Sequence, residues 1–233
     1  MLAYRLVNDV NLFEVRSFCP KCHTTLAWYD LIPILSWLIL RAKCRSCKKK
    51  ISLLYPFIEL LTLTIFLALY NKIPNPYFIS YFVFFSALMI TIRTDIETML
   101  ISRFVTIFLL PLALLFSFLN WLPITLIQVI SGALFGYLLL YFIEKVFKII
   151  TKKQGLGQGD MELLCFIGAF TGIIGCWISI LIGSILGSLF GIFFILINKL
   201  NFSNKIPFGP FLAIGSILYV LYQNEIISLV FRT

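Results

Sequence analysis

Long apolar runs separated by short polar joints fill most of the chain beyond residue 54. Seven runs have this character: residues 55–70, 77–94, 104–120, 123–143, 161–175, 177–197 and 208–222. A helix of about 20 apolar residues crosses the hydrocarbon layer of a bilayer, which is roughly 30 Å thick. The pattern therefore predicts an all-α polytopic membrane protein, a bundle of about seven transmembrane helices.

The joints between the runs carry residues that favour turns. Residues 71–76 and 120–123 are short and contain Asn and Pro, and residues 151–160 contain three glycines. Such stretches end helices and allow the chain to reverse. We therefore expect successive helices to be antiparallel neighbours.

The first 54 residues have a different character, with basic residues, prolines and four cysteines. Their longest apolar run, residues 31–40, is interrupted by Pro33 and is too short to cross a bilayer. We predict that residues 1–54 form a small cytoplasmic segment with a part at the membrane interface, followed by a transmembrane domain over residues 55–233.

Composition and charge support a membrane protein and give its orientation. Hydrophobic residues make up 61% of the chain and charged residues 12%, which excludes an ordinary soluble domain. The net charge of +9 could suggest nucleic acid, but seventeen of the nineteen basic residues lie on alternate joints, and Lys72 and Arg232 alone lie on the others. By the positive-inside rule this places the cysteine segment in the cytoplasm, with membrane lipid rather than nucleic acid as the partner.

Four cysteines in the N-terminal segment form two C-x-x-C pairs, Cys19 with Cys22 and Cys44 with Cys47, separated by 21 residues. This spacing allows two turns to bring four thiolates to one tetrahedral Zn²⁺. Four sulfur ligands leave no open position on the metal, so the sequence predicts a structural zinc site. Reduced free thiols and redox pairs are the alternatives; the neighbouring His23 is interpreted as a bystander.

Five acidic residues lie in or beside the apolar runs: Glu59, Asp95, Glu97, Asp160 and Glu162. Ionisable groups at such positions are costly, which favours a function for them. Asp95 ends the second run and Asp160 opens the fifth, so both are expected at the cytoplasmic side. Taken singly, Asp160 could be a helix N-cap and Asp95 a boundary charge.

Taken together, Asp95 and Asp160 suggest a different chemistry. Two carboxyl groups that share a proton can act as general base and general acid on one water, as peptide hydrolysis requires. Gly157 and Gly159 would support this site, since glycines permit irregular backbone that a substrate strand can approach closely. The hypothesis is an intramembrane aspartyl protease dyad.

Several motifs occur together over nearly the whole chain. They are the two C-x-x-C pairs, Trp28–Trp37 between them, Tyr55–Glu59, Asp95 followed by Leu100 and Ile101, Gly157–Asp160 followed by Leu163 and Leu164, and Ile206–Phe211. With these motifs the chain resembles the type 4 prepilin peptidases, the bifunctional leader peptidase and N-methyltransferase family of G-x-G-D intramembrane aspartyl proteases.

The resemblance implies a catalytic pair, Asp95 and Asp160, in a multi-pass protein of the bacterial inner membrane. It implies cleavage of basic leader peptides from prepilins or pseudopilins of type IV pilus or type II secretion systems, at the cytoplasmic face and usually after a glycine. It also implies N-methylation of the new N-terminus with S-adenosylmethionine, for which the motifs assign no binding residues.

Three features depart from the family pattern. Members usually begin with a further span before the Tyr-Arg that stands here at Tyr4, so we expect the true start upstream. Ser102 replaces a common Pro, and Glu162 replaces a common Lys, which adds a negative charge near Asp160. The dyad itself is complete.

Two other functions compete with the peptidase. A transporter could use carboxylates within its spans to carry protons, although the chain has no evident internal repeat. An inactive scaffold of a pilus or secretion machine is the second. An assay of leader-peptide cleavage distinguishes the peptidase from the transporter and from the scaffold.

Overall fold

The computed structural model describes residues 16–152, 155–198 and 207–231, and in these ranges the chain is helical apart from turns and two isolated β-bridges. A 3-10 turn, Trp28–Leu31, precedes the helices. These are α1 (Leu35–Ile39), α2 (Leu54–Lys72), α3 (Asn75–Thr98), α4 (Arg103–Thr106), α5 (Leu110–Phe118), α6 (Leu126–Thr151), α7 (Gln158–Asn198), α8 (Gly209–Leu221) and α9 (Gln223–Phe231). The Tyr-Arg pair at Tyr4, Ile206 of the last motif, and the basic residues Lys153, Lys199, Lys205 and Arg232 lie outside the described residues.

Four of the described helices are long and apolar enough to cross a membrane: α2, α3, α6 and α7. The stretches Arg103–Phe118 and Gly209–Leu221 are apolar but shorter. Many large apolar side chains on these helices are exposed, including Ile127 and Ile150 on α6. An apolar bundle that leaves such surface uncovered requires lipid around it, so the chain is a multi-pass membrane protein.

Helix α7 reverses direction at Gly172. This residue has φ 71° and ψ −174°, a conformation open to glycine, and Cys176 Sγ lies 4.0 Å from the carbonyl oxygen of Leu164. Twelve residues of straight helix would extend about 18 Å, so the two arms, residues 158–171 and 173–198, form a hairpin. The sequence predicted two runs here, but the division at residue 176 was wrong by four positions.

The predicted run at residues 104–120 corresponds to the apolar stretch Arg103–Phe118, which is divided into the two short helices α4 and α5. Pro111 lies in the first turn of α5, and proline cannot continue an α-helix from the preceding turn because it lacks an N–H and its ring clashes with the carbonyl four residues back. The break between α4 and α5 therefore has a local cause.

Close backbone contact holds α6 against the first arm of α7. A Cβ on Gly132 would lie 2.2 Å from the carbonyl oxygen of Gly168, and one on Gly136 would lie 2.3 Å from that of Leu164. Small residues four apart allow helices in a membrane to approach this closely. Beside them, Phe84 of α3 stacks on Phe170 with ring centroids 4.8 Å apart, in a fully buried aromatic core.

Contacts between joints show which helix ends lie together. At one end, Ser80 near the start of α3 donates to the carbonyl of Trp121 at 2.6 Å, and Lys72 lies 3.6 Å from Glu225 of α9. At the opposite end, here called the acidic end, α3 finishes and α7 and α8 begin. The ends of α5 and α8 thus lie with the start of α3, as the expected antiparallel arrangement requires.

The described chain divides into two compact units after Ala68. In the first unit, each β-bridge closes one C-x-x-C turn, Phe18 with Thr25 and Lys43 with Lys50. The two turns have the same hydrogen bonds: the amides of Cys19 and Cys44 each donate to the carbonyl five residues on. Residues 18–25 and 43–50 therefore form two equivalent turns, here called the cysteine knuckles.

Candidate active site

Asp95 lies in the last turn of α3 at the acidic end, and only 4% of it is exposed. Its Oδ2 accepts a hydrogen bond from the backbone N–H of Gly209, at 3.0 Å. Gly209 is the first residue of α8, and the unpaired amides of a helix N-terminus favour a negative group. One oxygen of this buried carboxyl group is thereby fixed against a second helix.

Asp160 occupies the third position of α7 and is half-buried. Its Oδ2 accepts a hydrogen bond from the backbone N–H of Gly157, at 3.3 Å. The helix begins at Gln158, so Asp160 lies inside the first turn and is not the N-cap. One of its two carboxyl oxygens nevertheless accepts a hydrogen bond from an amide at the start of the helix.

Ile101 lies between the segments that carry the two aspartates. It lies in the connection after α3, and a Cβ on Gly159 would come 2.9 Å from its Cβ, while a Cβ on Gly209 would come 3.1 Å from its Cδ1. Gly159 adjoins Asp160, and Gly209 holds Asp95. The structure therefore brings together, around Ile101, the segments that carry the two predicted aspartates.

Glu144 supports the glycine-rich connection from the C-terminal half of α6. Its Oε2 accepts hydrogen bonds from the amides of Gly155 and Leu156, at 3.1 and 2.8 Å. Sequence reasoning missed Glu144 and also the roles of Ile101 and Gly209. A usable signal for Glu144 was its acidic character near the C-terminal end of a helix, where basic residues are favoured.

The other acidic candidates have separate partners. Glu97 pairs with Arg93 at 2.7 Å within α3, and Glu162 pairs with Arg103 at 3.2 Å. Glu59, in the first unit, accepts a hydrogen bond from the backbone N–H of Ile34 at 2.7 Å. These contacts distinguish them from Asp95 and Asp160, whose partners in the described structure are backbone amides.

The sulfurs of Cys19, Cys22, Cys44 and Cys47 all lie within 4.8 Å of one another. Tetrahedral Zn²⁺ with bonds of about 2.3 Å places its sulfurs about 3.8 Å apart, so a small contraction of this group fits the metal. Cys19 and Cys44 are buried, at 8% and 6% exposure. The ring of His23 stacks on Phe18, with centroids 5.8 Å apart.

Local hydrogen bonds favour thiolates at two of these cysteines. The Thr24 hydroxyl donates to Cys22 Sγ at 3.3 Å and lowers the pKa of Cys22 to about 6, and the amide of Cys47 lowers the pKa of Cys44. The amide of Lys49 also lowers the pKa of Cys47, but desolvation and the neighbouring thiols raise it to about 11. Four adjacent thiolates repel one another, so full deprotonation requires a cation such as Zn²⁺.

Comparison with known proteins gives a consistent set of matches. The model of the Bacterial Peptidase A24 N-terminal domain matches residues 1–73, and that of the Type IV leader peptidase family matches residues 82–192. The first match includes the four cysteines, and the second includes both aspartates. No solved structure matches the chain.

Curated relatives match along most of the chain. The prepilin leader peptidase/N-methyltransferase of Aeromonas salmonicida (strain A449) is 36% identical over 219 residues, covering 93% of this chain and 74% of the relative. That of Legionella pneumophila is 33% identical, covering 94% and 76%. That of Bacillus subtilis (strain 168) is 34% identical, covering 96% and 88%.

Proposed function

The chain belongs to the type IV leader peptidase family, and we propose that Asp95 and Asp160 are the catalytic pair with which it removes leader peptides from prepilins or pseudopilins. The observation that supports this assignment is that Ile101 packs against both Gly159, which adjoins Asp160, and Gly209, which binds Asp95, at the acidic end of the bundle. The two residues come from different helices, and each has one oxygen bound by a backbone amide.

Peptide hydrolysis at this pair requires one proton to be shared between the two carboxyl groups. The ionised aspartate takes a proton from a water molecule as its oxygen attacks the scissile carbonyl carbon, and the protonated aspartate donates its proton to the carbonyl oxygen. The tetrahedral intermediate then collapses: the C–N bond breaks, the leaving nitrogen takes a proton from one aspartate, and a hydroxyl group of the intermediate returns its proton to the other as the new carboxyl group forms. The amides of Gly157 and Gly209 hold the carboxyl groups in place during these steps.

The burial of Asp95 suits this chemistry because it limits the contact of the pair with bulk water. Two carboxylates in a shielded site repel each other strongly, which favours the state with one shared proton. That state is the one that contains both a general base and a general acid. The same site in contact with bulk water would lose much of this coupling.

The distribution of basic residues supports a cytoplasmic location for the acidic end. Arg93, Arg103, Lys145 and Lys148 lie near the ends of helices that meet there, whereas Lys72 lies at the opposite end. We propose seven membrane-crossing segments in the bacterial cytoplasmic membrane, with the arms of α7 counted separately and with α4 and α5 together as one. A basic leader peptide would then be cut where it emerges on the cytoplasmic side.

A second activity follows from the family. The relatives carry N-methyltransferase in their names, and we propose that this chain also methylates the amino group exposed by cleavage. S-adenosylmethionine, when bound, supplies an electrophilic methyl group that the neutral amine attacks. No residue of this chain is assigned to binding it.

The four cysteines would hold a structural zinc ion within residues 1–54, ahead of the peptidase part at residues 55–233. All four ligand positions would be filled by sulfur, so this metal would fix the two knuckles and take no part in hydrolysis. A segment of this size has too few apolar residues for a core of its own, which is the usual reason for such a metal.

Cleavage of a purified prepilin by the purified protein in lipid vesicles tests the proposed function. We expect wild type to release the leader, and S-adenosylmethionine to add one methyl group to the new N-terminus, both seen by mass spectrometry. Asp95→Asn and Asp160→Asn should cleave at least about 1,000-fold more slowly, while Glu225→Gln at the opposite end should match wild type. An intact prepilin after incubation with folded wild type would favour the transporter or the scaffold.

A further inference from the structure

Glu162 is a third acidic side chain in the first turn of α7, two positions after Asp160. Only 7% of it is exposed. Arg103 Nε lies 3.2 Å from its Oε1, and its Oε2 is buried without a hydrogen-bond partner in the described part of the chain. A buried carboxylate needs compensation, and here a single contact to Arg103 supplies it.

The negative charge of Glu162 does not make it a member of the aspartate pair. The charge of Glu162 is balanced by Arg103, whose side chain is 65% exposed. The sequence predicts that Glu162 adds a like charge near Asp160. Its ion pair with Arg103 gives it a different function.

The ion pair joins two segments that each carry part of the site. Arg103 is the first residue of α4, and residues 99–102 connect it directly to the end of α3, just after Asp95. This connection is not helical, and its first residue, Met99, has a left-handed φ of 55°. The contact with Glu162 therefore anchors a short irregular connection to the helix that carries Asp160.

Ile101 lies at the middle of that anchored connection. Its side chain fills the space between Gly159 and Gly209, the residue next to Asp160 and the residue that binds Asp95. A shift of the connection would move Ile101 and change the distance between the two carboxyl groups. Two attachments therefore fix the position of Ile101: the chain leaves α3 just before it, and Arg103 just after it forms the ion pair with Glu162.

We propose that Glu162 is a positioning residue for proteolysis, which acts through Arg103 to hold Ile101 between Gly159 and Gly209 and thereby fixes the separation of Asp95 and Asp160. This inference rests on the proposed catalytic role of the two aspartates. Apolar side chains could join two helices at lower cost than a buried charge. A directional ion pair, by contrast, sets the register of the connection.

The test compares prepilin cleavage by wild type, Arg103→Gln, Arg103→Lys and Glu162→Gln in lipid vesicles. Arg103→Gln is the main variant because its side chain is largely exposed and its loss leaves the core packing intact. We expect kcat to fall about tenfold in Arg103→Gln and Glu162→Gln with KM within about twofold of wild type, as for misplaced reacting groups. Arg103→Lys keeps the charge and should retain most of the activity.

Glu97→Gln is the matched control. It also removes a charge from an ion pair near Asp95, but that ion pair, Glu97 with Arg93, lies within the single helix α3. We expect Glu97→Gln to have the kcat of wild type. Melting temperatures of all variants show whether the folded fraction has changed.

A wild-type kcat in Arg103→Gln would overturn the inference, as would an effect on KM alone. A fall in kcat that matches the loss of folded protein would overturn it too. If Asp95→Asn is inactive while Arg103→Gln is fully active, the inference alone fails. If Asp95→Asn retains activity, the proposed function fails with it.

Discussion

Asp95 on α3 accepts a hydrogen bond from the backbone N–H of Gly209, a residue 114 positions later in the chain, at an N···O distance of 3.0 Å. This bond joins the last turn of one helix to the first turn of another. It gives the buried carboxyl group a fixed orientation and a donor at a helix N-terminus. The position of Asp95 thus depends on the Pro-Phe-Gly-Pro stretch near the end of the chain.

Gly209→Ala should impair cleavage by displacing Asp95. A Cβ at this position would lie 2.7 Å from Asp95 Oδ2 and 3.1 Å from Ile101 Cδ1, so the carboxyl group must move. We expect kcat to fall by about 10- to 100-fold, the usual consequence of a misplacement near 1 Å. Gly187→Ala is the control, since its Cβ would meet Phe211 at an ordinary 3.4 Å. Equal activity in the two variants would contradict the role of Gly209.

Glu144→Ala should loosen the glycine-rich connection that leads to Asp160. The amides of Gly155 and Leu156 would lose their acceptor, and hydrogen bonds to a charged group each contribute about 1.5–3 kcal/mol. We expect a fall in kcat of about tenfold, corresponding to about 1.4 kcal/mol. Glu144→Gln keeps one acceptor oxygen and should lose less; an effect as large as that of alanine would argue against this explanation.

The cysteine segment should bind about one zinc ion per chain, with Cys22→Ser losing the metal and Cys165→Ser retaining it. Elemental analysis of the purified variants measures this. Cys165 lies on α7, outside the four-sulfur group, and serves as the control. Full zinc content in Cys22→Ser would contradict the site.

The pH dependence of zinc binding follows from the pKa of Cys22 in the metal-free segment. Zinc binds thiolates, so each thiol that is still protonated releases a proton on binding. Above pH 6 Cys22 is already mostly deprotonated, so zinc binding should release fewer than four protons per chain. Below pH 6 Cys22 must also release its proton when zinc binds, so the zinc affinity should weaken. Calorimetry in buffers of different ionisation enthalpy measures the number. Release of four protons on both sides of pH 6 would contradict the low pKa.

The sequence predicted much of this arrangement because the deciding features were local. Hydrophobic runs placed α2, α3 and α6, and the C-x-x-C spacing predicted that four sulfurs would meet. The position of Asp95 and Asp160 at helix ends on one side followed from counting spans. These signals depend on composition and on spacing along the chain, which a single sequence contains.

The features that sequence reasoning missed depend on backbone groups and long-range contacts. Gly209 binds Asp95 through its amide, and every residue except proline has an amide, so its type gave no signal. The chain reverses at Gly172 because this residue has a positive φ. The sequence alone does not show which of the several glycines in α7 adopts that conformation. Arg103 was only counted among the basic residues of the joints, because its partner Glu162 is identified only by the packing of α4 against α7.

The most direct test of the central claim is whether Asp95 and Asp160 act as one unit. Cleavage rates of Asp95→Asn, Asp160→Asn and the double variant, with equal amounts of folded protein in vesicles, measure this. Residues that share one proton lose their function together, so the double variant should be no slower than either single variant by more than about threefold. Near-wild-type activity in a single variant, or losses that multiply in the double variant, would contradict a shared catalytic site.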